Sequence, residues 1–230
     1  MGMRAVHDQS LLDLAVDRSS NKPTVPGLYL TGNGPLAEVL QYELKRAGGG
    51  GATFIRHIKN YLDRYVSNPT WEPPEHLLVF DEAQRAFSPD RVADIHSNWG
   101  VHQIASEPDL FVRICDRMPE WSVLVGLIGE GQEINVGEEE GLIQWKDALE
   151  KSEHDWIVHS PEEINNIFAD SDIRTRDNVA LNLDTEIRFL RATHLHEFVN
   201  EVLTKGDIAT AANIAKSVNC LLYTSPSPRD

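Results

Sequence analysis

"HLLVFDEAQRAFS", residues 76–88, decides the reading of this chain. Four apolar residues, Leu77, Leu78, Val79 and Phe80, run into Asp81 and Glu82, and Ala83, Gln84 and Arg85 follow. A short, uninterrupted apolar run bounded by polar residues has the pattern of a strand buried on both faces of a sheet. Such a strand delivers two adjacent acids to its carboxyl end.

Working outward, apolar runs alternate with helical periodicity, the pattern of βα units on a parallel sheet. Upstream, "GLYLTG" (27–32) predicts a strand closed by a glycine turn. "PLAEVLQYELKR" then has helix spacing, with Leu36, Val39, Leu40 and Leu44 on one face and Pro35 in the first turn. After the glycines at 48–51, "TFIRHIKNYLDRYV" predicts a second amphipathic helix carrying Phe54, Ile55, Ile58, Leu62 and Val66, and "NPTWEPPE" a loop. Downstream, "EPDLFVRICDRMP" predicts a helix and "WSVLVGLIG" (121–129) a second strongly apolar strand, which empties into "EGQEINVGEEEG". "LIQWKDALEK" predicts a helix and "DWIVHS" a short strand. Residues 161–183 are a polar, poorly patterned connector, and "TEIRFLRATHLHEFVNEVL" and "DIATAANIAKSV" supply the elements after it. The fold class is α/β, with a mostly parallel sheet flanked by helices. Ligands of such sheets bind beyond the carboxyl ends of the strands, so the loops after Phe80 and Gly129 should share one crevice.

The totals narrow the function. At 230 residues and 41% hydrophobic content the chain can bury a real core. No run reaches the length of a membrane span, and "MGMRAVHDQSLLDLAVDRSS" has no apolar signal core, so a cytoplasmic setting and no membrane partner are expected. Cys115 and Cys220 offer neither a disulfide framework nor metal-ligand spacing. A formal charge of −15 means that any nucleic-acid partner must be held by a local site rather than by a basic surface. The acids of "GEGQEINVGEEEG" and "ALEKSEHD" read as solvated faces or loops.

An apolar strand ending in Asp-Glu is the Walker B arrangement of nucleotide hydrolases. There the Asp holds Mg²⁺, directly or through water, and the Glu orients and deprotonates the attacking water. Mg²⁺ takes hard oxygen ligands, one or two of them carboxylates, with the substrate's phosphates. Asp81 and Glu82 fit those roles. The structural alternative is that Asp81 caps a helix starting at Ala83 and that Glu82 adds favourable charge near its N-terminus. Arg85 reads as bridging to an acid rather than contacting phosphate.

A second motif reinforces the first. "LIGEGQEI" (127–134) resembles motif III of superfamily 1 helicases, in which Gln132 would sit beside the γ-phosphate. With "LYLTGNGPLAEVL", "FIRHIKNYLDRY", "PPEHLLVFDEAQRAF", "SEPDLFVRICDRMPEWSVLVGLIGEGQEINVGEEEGLIQW" and "EIRFLRATHLHEFVNEVL", roughly residues 20–215 resemble the Schlafen group 3-like DNA/RNA helicase domain, a superfamily 1-type P-loop NTPase.

The resemblance implies a RecA-like core that uses ATP and Mg²⁺ and acts on single-stranded or duplex nucleic acid, DNA or RNA. It implies Glu82 and Gln132 as catalytic residues, Asp81 as the metal ligand, and Asp81, Gln84 and Arg188 at the nucleotide. "TGNGP" corresponds to motif Ia, whose Thr31 and Asn33 would contact the nucleic-acid backbone, although Asn33 is equally suited to capping the following helix. Arg188 in "EIRFLR" corresponds to the motif IV arginine, and Phe189 departs from the Ser that commonly follows it.

No GxxxxGK[ST] occurs, and "RAGGGGATF" follows a helix rather than a strand, so it reads as a loop. The expectation is a first RecA-like domain at 1–160 whose first strand and P-loop are missing, the connector at 161–183, and the start of a second RecA-like domain at 184–219. The tail at 220–230, "CLLYTSPSPRD", resembles adaptor read-through rather than native sequence. Three functions compete: an ATP-dependent helicase or translocase, a nucleotide-binding regulatory or interaction module, and a metal nuclease using Asp81, Glu82 and members of Glu138 to Glu140. His194 and His196, two apart on a helix, point to different faces and make a poor metal pair. Trp71, Trp99 and Trp121 are expected as buried anchors rather than base-stacking platforms.

Overall fold

A computed structural model describes residues 16–17, 22–23, 27–47, 54–95, 105–129, 141–182, 197–198, 201–202 and 206–222. The chain divides into two compact units, residues 1–177 and 178–230.

The first unit opens with a small antiparallel pair, β1 (Val16–Asp17) and β2 (Lys22–Pro23). Then come β3 (Gly27–Thr31), α1 (Gly34–Arg46), β4 (Ile55–His57), α2 (Ile58–Val66) and β5 (Leu77–Phe80). A 3₁₀ turn at Ala83–Arg85 leads to α3 (Pro89–Ile95), α4 (Glu107–Cys115), β6 (Val123–Gly126) and α5 (Ile143–Glu150). Strand β7 (Ile157–Ser160), α6 (Glu162–Asn165) and β8 (Arg174–Asp177) close the unit.

Strands β3 to β6 form one fully parallel sheet in the order β4-β3-β5-β6. Its register sets which side chains share a face: Leu28 lies beside Leu78 and Leu30 beside Phe80. All four are essentially inaccessible, and they bury against Ile58, Tyr61, Leu62 and Tyr65 of α2 and Leu110, Phe111 and Ile114 of α4. Phe80 meets Phe111 edge-on at 4.9 Å and Trp145 of α5 at 5.4 Å, an arrangement that aligns ring edge with ring face. The opposite face is thinner, with Ala37, Phe54 and Ile55 joined by Tyr29, Leu40 and Leu44. Helices therefore cover both faces.

Helix α4 is buried along nearly its whole length and starts on a reciprocal capping box, Ser106 with Asp109. Two predicted elements differ in the structure. The segment read as one helix from Phe54 is a strand at Ile55–His57 and becomes helical at Ile58, where His57 Nδ1 accepts the Lys59 amide as N-cap. Helix α1 is present, but Ala37 is its buried residue, while Leu36 and Val39 are exposed.

Within residues 161–183, α6 is followed by a 3₁₀ turn at Asn166–Phe168 and by β8, which pairs in parallel with β7. In the second unit a 3₁₀ turn at Val179–Leu181 and α7 (Ile208–Leu222) are described, and α7 continues past Cys220. Among the described residues, no helix is long and apolar enough to cross a membrane.

Candidate nucleotide site at the sheet rim

All four strands of the central sheet run the same way, so their carboxyl ends line one rim. From β3 the chain leaves through α1 to β4 on one side; from β5 it leaves through α3 and α4 to β6 on the other. Helices α1 and α4 pack on opposite faces. The loops after these two adjacent strands thus diverge, which makes this rim the topological switch point, the place where ligands of such sheets bind. Thr31 and Asn33 stand at one side of it, Asp81 and Glu82 at the other.

The acidic loop is fastened from several directions. The Asp81 amide donates to the Leu30 carbonyl at 2.9 Å, and the Ala83 amide to Leu127 at 2.7 Å, while Leu127 donates back to Phe80 at 2.9 Å. Gln84, almost wholly buried, accepts the Gly129 amide on Oε1 at 3.1 Å. Trp145 Nε1 donates to the Ala83 carbonyl at 2.7 Å, and Gln144 Nε2 to Ala86 at 3.2 Å. Gly126 lets this packing close, because a Cβ there would stand 3.0 Å from that of Ala83.

Glu82 holds the left-handed conformation, φ 54° and ψ 50°, which a residue with a Cβ adopts only at a cost. It occupies the N-cap position of the 3₁₀ turn, yet its side chain makes no capping bond. The capping alternative for the acid pair therefore has no hydrogen bond behind it: the residue at the cap is Glu82, not Asp81. The Glu82 carboxylate is exposed and pairs with Arg85 at 2.9 Å, so Arg85 bridges to an acid, as expected from sequence.

Asp81 is half-buried, and the Tyr29 hydroxyl, on the neighbouring strand β3 and the same face of the sheet, is placed to donate to its carboxylate. Burial first, then the neighbouring Asp81 carboxylate and the charge of Glu82, push the Tyr29 phenol well above its usual range, so it stays a proton donor throughout the physiological pH range. Tyr29 was legible in the sequence only as a strand residue.

The other candidates divide in two groups. Thr31 is buried, and its Oγ1 accepts the Asn33 amide at 3.1 Å; Asn33 Oδ1 accepts the Leu36 amide at 3.1 Å as the N-cap of α1. Both side chains thus serve the turn itself. Gln84 serves the carboxylate loop, with its Nε2 buried and without a partner. Gln132, Arg188, Glu138 to Glu140, His194, His196 and Trp99 lie outside the described residues. The strand that leads towards Gln132 is β6, the immediate neighbour of β5. Among the described residues no group of three or more His, Cys, Asp or Glu gathers in metal-binding geometry. Trp71 is half exposed with Arg64 over its ring at 5.8 Å, rather than a buried anchor, whereas Trp121 is partly covered and lies tilted against the His76 ring, centroids 4.4 Å apart.

No curated protein and no solved structure matches the chain. A family model does: Schlafen group 3, DNA/RNA helicase domain, over residues 10–227. That span takes in the parallel sheet, its switch point and the acid pair at its rim, and with nearly the whole sequence matched the chain belongs to the Schlafen group 3 DNA/RNA helicase domain family.

Proposed function

We propose that the domain is a RecA-like core that binds Mg-ATP at the rim between β3 and β5 and couples its hydrolysis to movement along nucleic acid. The observation that carries this reading is the acid pair at the end of a central parallel strand, at a topological switch point, with its loop tied to the loop after β6 through Gln84 and Gly129. The residues present fit a magnesium ion. Asp81 is a half-buried carboxylate with a neutral donor, the Tyr29 phenol, on the same face beside it, and Mg²⁺ needs only one or two such ligands beside the phosphates. When bound, the ion would neutralise phosphate charge and polarise the bond that breaks. Asp81 would hold it. Glu82, exposed at the rim, would orient a water and take its proton, which requires that it exchange Arg85 for that water. Gln132 would meet the γ-phosphate and Arg188 the nucleotide, and Gln84 would keep the acid pair and the amide loop in register. Nucleic acid, DNA or RNA, would pass over the turn at Thr31 to Asn33, with exposed backbone at the start of α1 as its phosphate contact.

The test is Glu82→Gln in the gene product that carries this domain, assayed for ATP hydrolysis with and without single-stranded DNA. Loss of a general base lowers kcat by about 100-fold or more while nucleotide binding persists; unchanged turnover refutes the assignment. The Glu82–Arg85 ion pair favours one other reading, a nucleotide-binding regulatory module in which the base stays sequestered. Binding of Mg-ATP without turnover in the wild-type protein would select that reading.

A further inference from the structure

We propose that Tyr29 is the positioning residue of the metal site, fixing the Asp81 carboxylate so that one oxygen faces the cation. This rests on the magnesium–nucleotide reading above and adds to it a residue from a different strand.

The argument is one of register. Tyr29 pairs with Val79 across β3 and β5, and side chains two apart in a strand share a face, so Tyr29, Val79 and Asp81 project from the same side of the sheet. The diagonal from Tyr29 to Asp81 is within reach of an aromatic side chain, which places the phenol to donate its proton to the carboxylate. The Asp81 amide is bound to Leu30 of the same strand at 2.9 Å. Both ends of Asp81 are thus referenced to β3, one through its backbone and one through its side chain. An ionised carboxylate has about four lone-pair positions, so one bond from Tyr29 leaves the rest for a cation and its waters.

The chemistry of the donor matters. A lysine or arginine here would neutralise the carboxylate and compete with the metal, whereas a phenol orients it and leaves its charge intact. Among the described residues no cation pairs with Asp81; the nearby arginine, Arg85, is engaged with Glu82. Partners that orient a metal ligand in this way are worth about 10- to 100-fold in metal affinity.

The experiment uses Mn²⁺ as a paramagnetic stand-in for Mg²⁺ on the gene product carrying the domain, with a non-hydrolysable ATP analogue present, and reads bound Mn²⁺ by electron paramagnetic resonance. Tyr29→Phe keeps the ring and removes the donor, and it should weaken Mn²⁺ binding about 10-fold. Asp81→Asn should weaken it further, and the double variant should be no worse than Asp81→Asn alone. Wild-type Mn²⁺ affinity in Tyr29→Phe, with Asp81→Asn impaired, overturns the positioning role and leaves the magnesium reading standing. Wild-type affinity in Asp81→Asn overturns the magnesium reading itself. Val79→Ala, on the same face and without a polar atom, controls for loosening of the strands: an equal loss of Mn²⁺ affinity in Val79→Ala and Tyr29→Phe at matched melting temperature also overturns the proposal.

Discussion

Glu82 should be a position at which glycine is more stable than alanine. Its backbone sits at φ 54° and ψ 50°, where a Cβ crowds the following carbonyl at a cost of about 1–2 kcal/mol. Glycine removes that crowding but adds about 0.5–1 kcal/mol of unfolded-chain freedom. Either substitution breaks the pair with Arg85, and because the Glu82 side chain is 47% exposed that loss is worth at most about 0.5 kcal/mol. Combining these, Glu82→Gly should be neutral to slightly stabilising, and Glu82→Ala should be about 0.5 kcal/mol less stable than wild type. The decisive quantity is the difference between the two variants. In an ordinary helix interior glycine is worse than alanine by about 1 kcal/mol; here the sign should reverse. Urea unfolding of both variants, compared at equal m-values, measures this directly. If alanine equals or exceeds glycine, the left-handed conformation of Glu82 is not held in solution and the strain assigned to it is refuted. Should both variants also lose ATP hydrolysis, the position would show the exchange of stability for function expected at a strained site.

Trp145→Phe removes the indole donor from the Ala83 carbonyl and leaves a buried acceptor behind, which should cost about 1–3 kcal/mol in urea unfolding and speed hydrogen exchange at the Ala83 amide; a change below about 0.5 kcal/mol would show that α5 does not hold the carboxylate loop. Burial pushes the Cys115 thiol far above its ordinary value, so it stays protonated in the folded protein while the unfolded chain ionises above about pH 9. The unfolded state then binds fewer protons than the native one, and stability should fall with rising pH by up to about 1.4 kcal/mol per unit. Tyr61, raised by burial first, adds a second such loss at higher pH. Chemical denaturation between pH 8 and 10 should show this slope flattened in Cys115→Ala, and an unchanged slope would refute the assignment to Cys115.

What the sequence determined by itself was local. The run Leu77 to Phe80 specified a buried strand because four consecutive apolar side chains have nowhere to go but two covered faces, and the acids after it had to emerge at the sheet's rim. The α/β alternation, the buried helix α4 and the Asn33 cap were likewise written in neighbouring residues. Tertiary structure decided the rest. Ile55–His57 became a strand because the β3 edge pairs with it, and three residues carry too little periodicity to announce that. The phase of α1 followed contact with Phe54 and Ile55, so Ala37 turned inward and Val39 outward although Val39 is the more apolar. Above all, the order β4-β3-β5-β6 placed the switch point between Thr31 and Asp81, and the register put Tyr29 and Asp81 on one face; a slip of one residue would have sent the phenol to the other side of the sheet. The meeting of two residues so far apart in the chain depends on strand order and register, which only the folded sheet supplies.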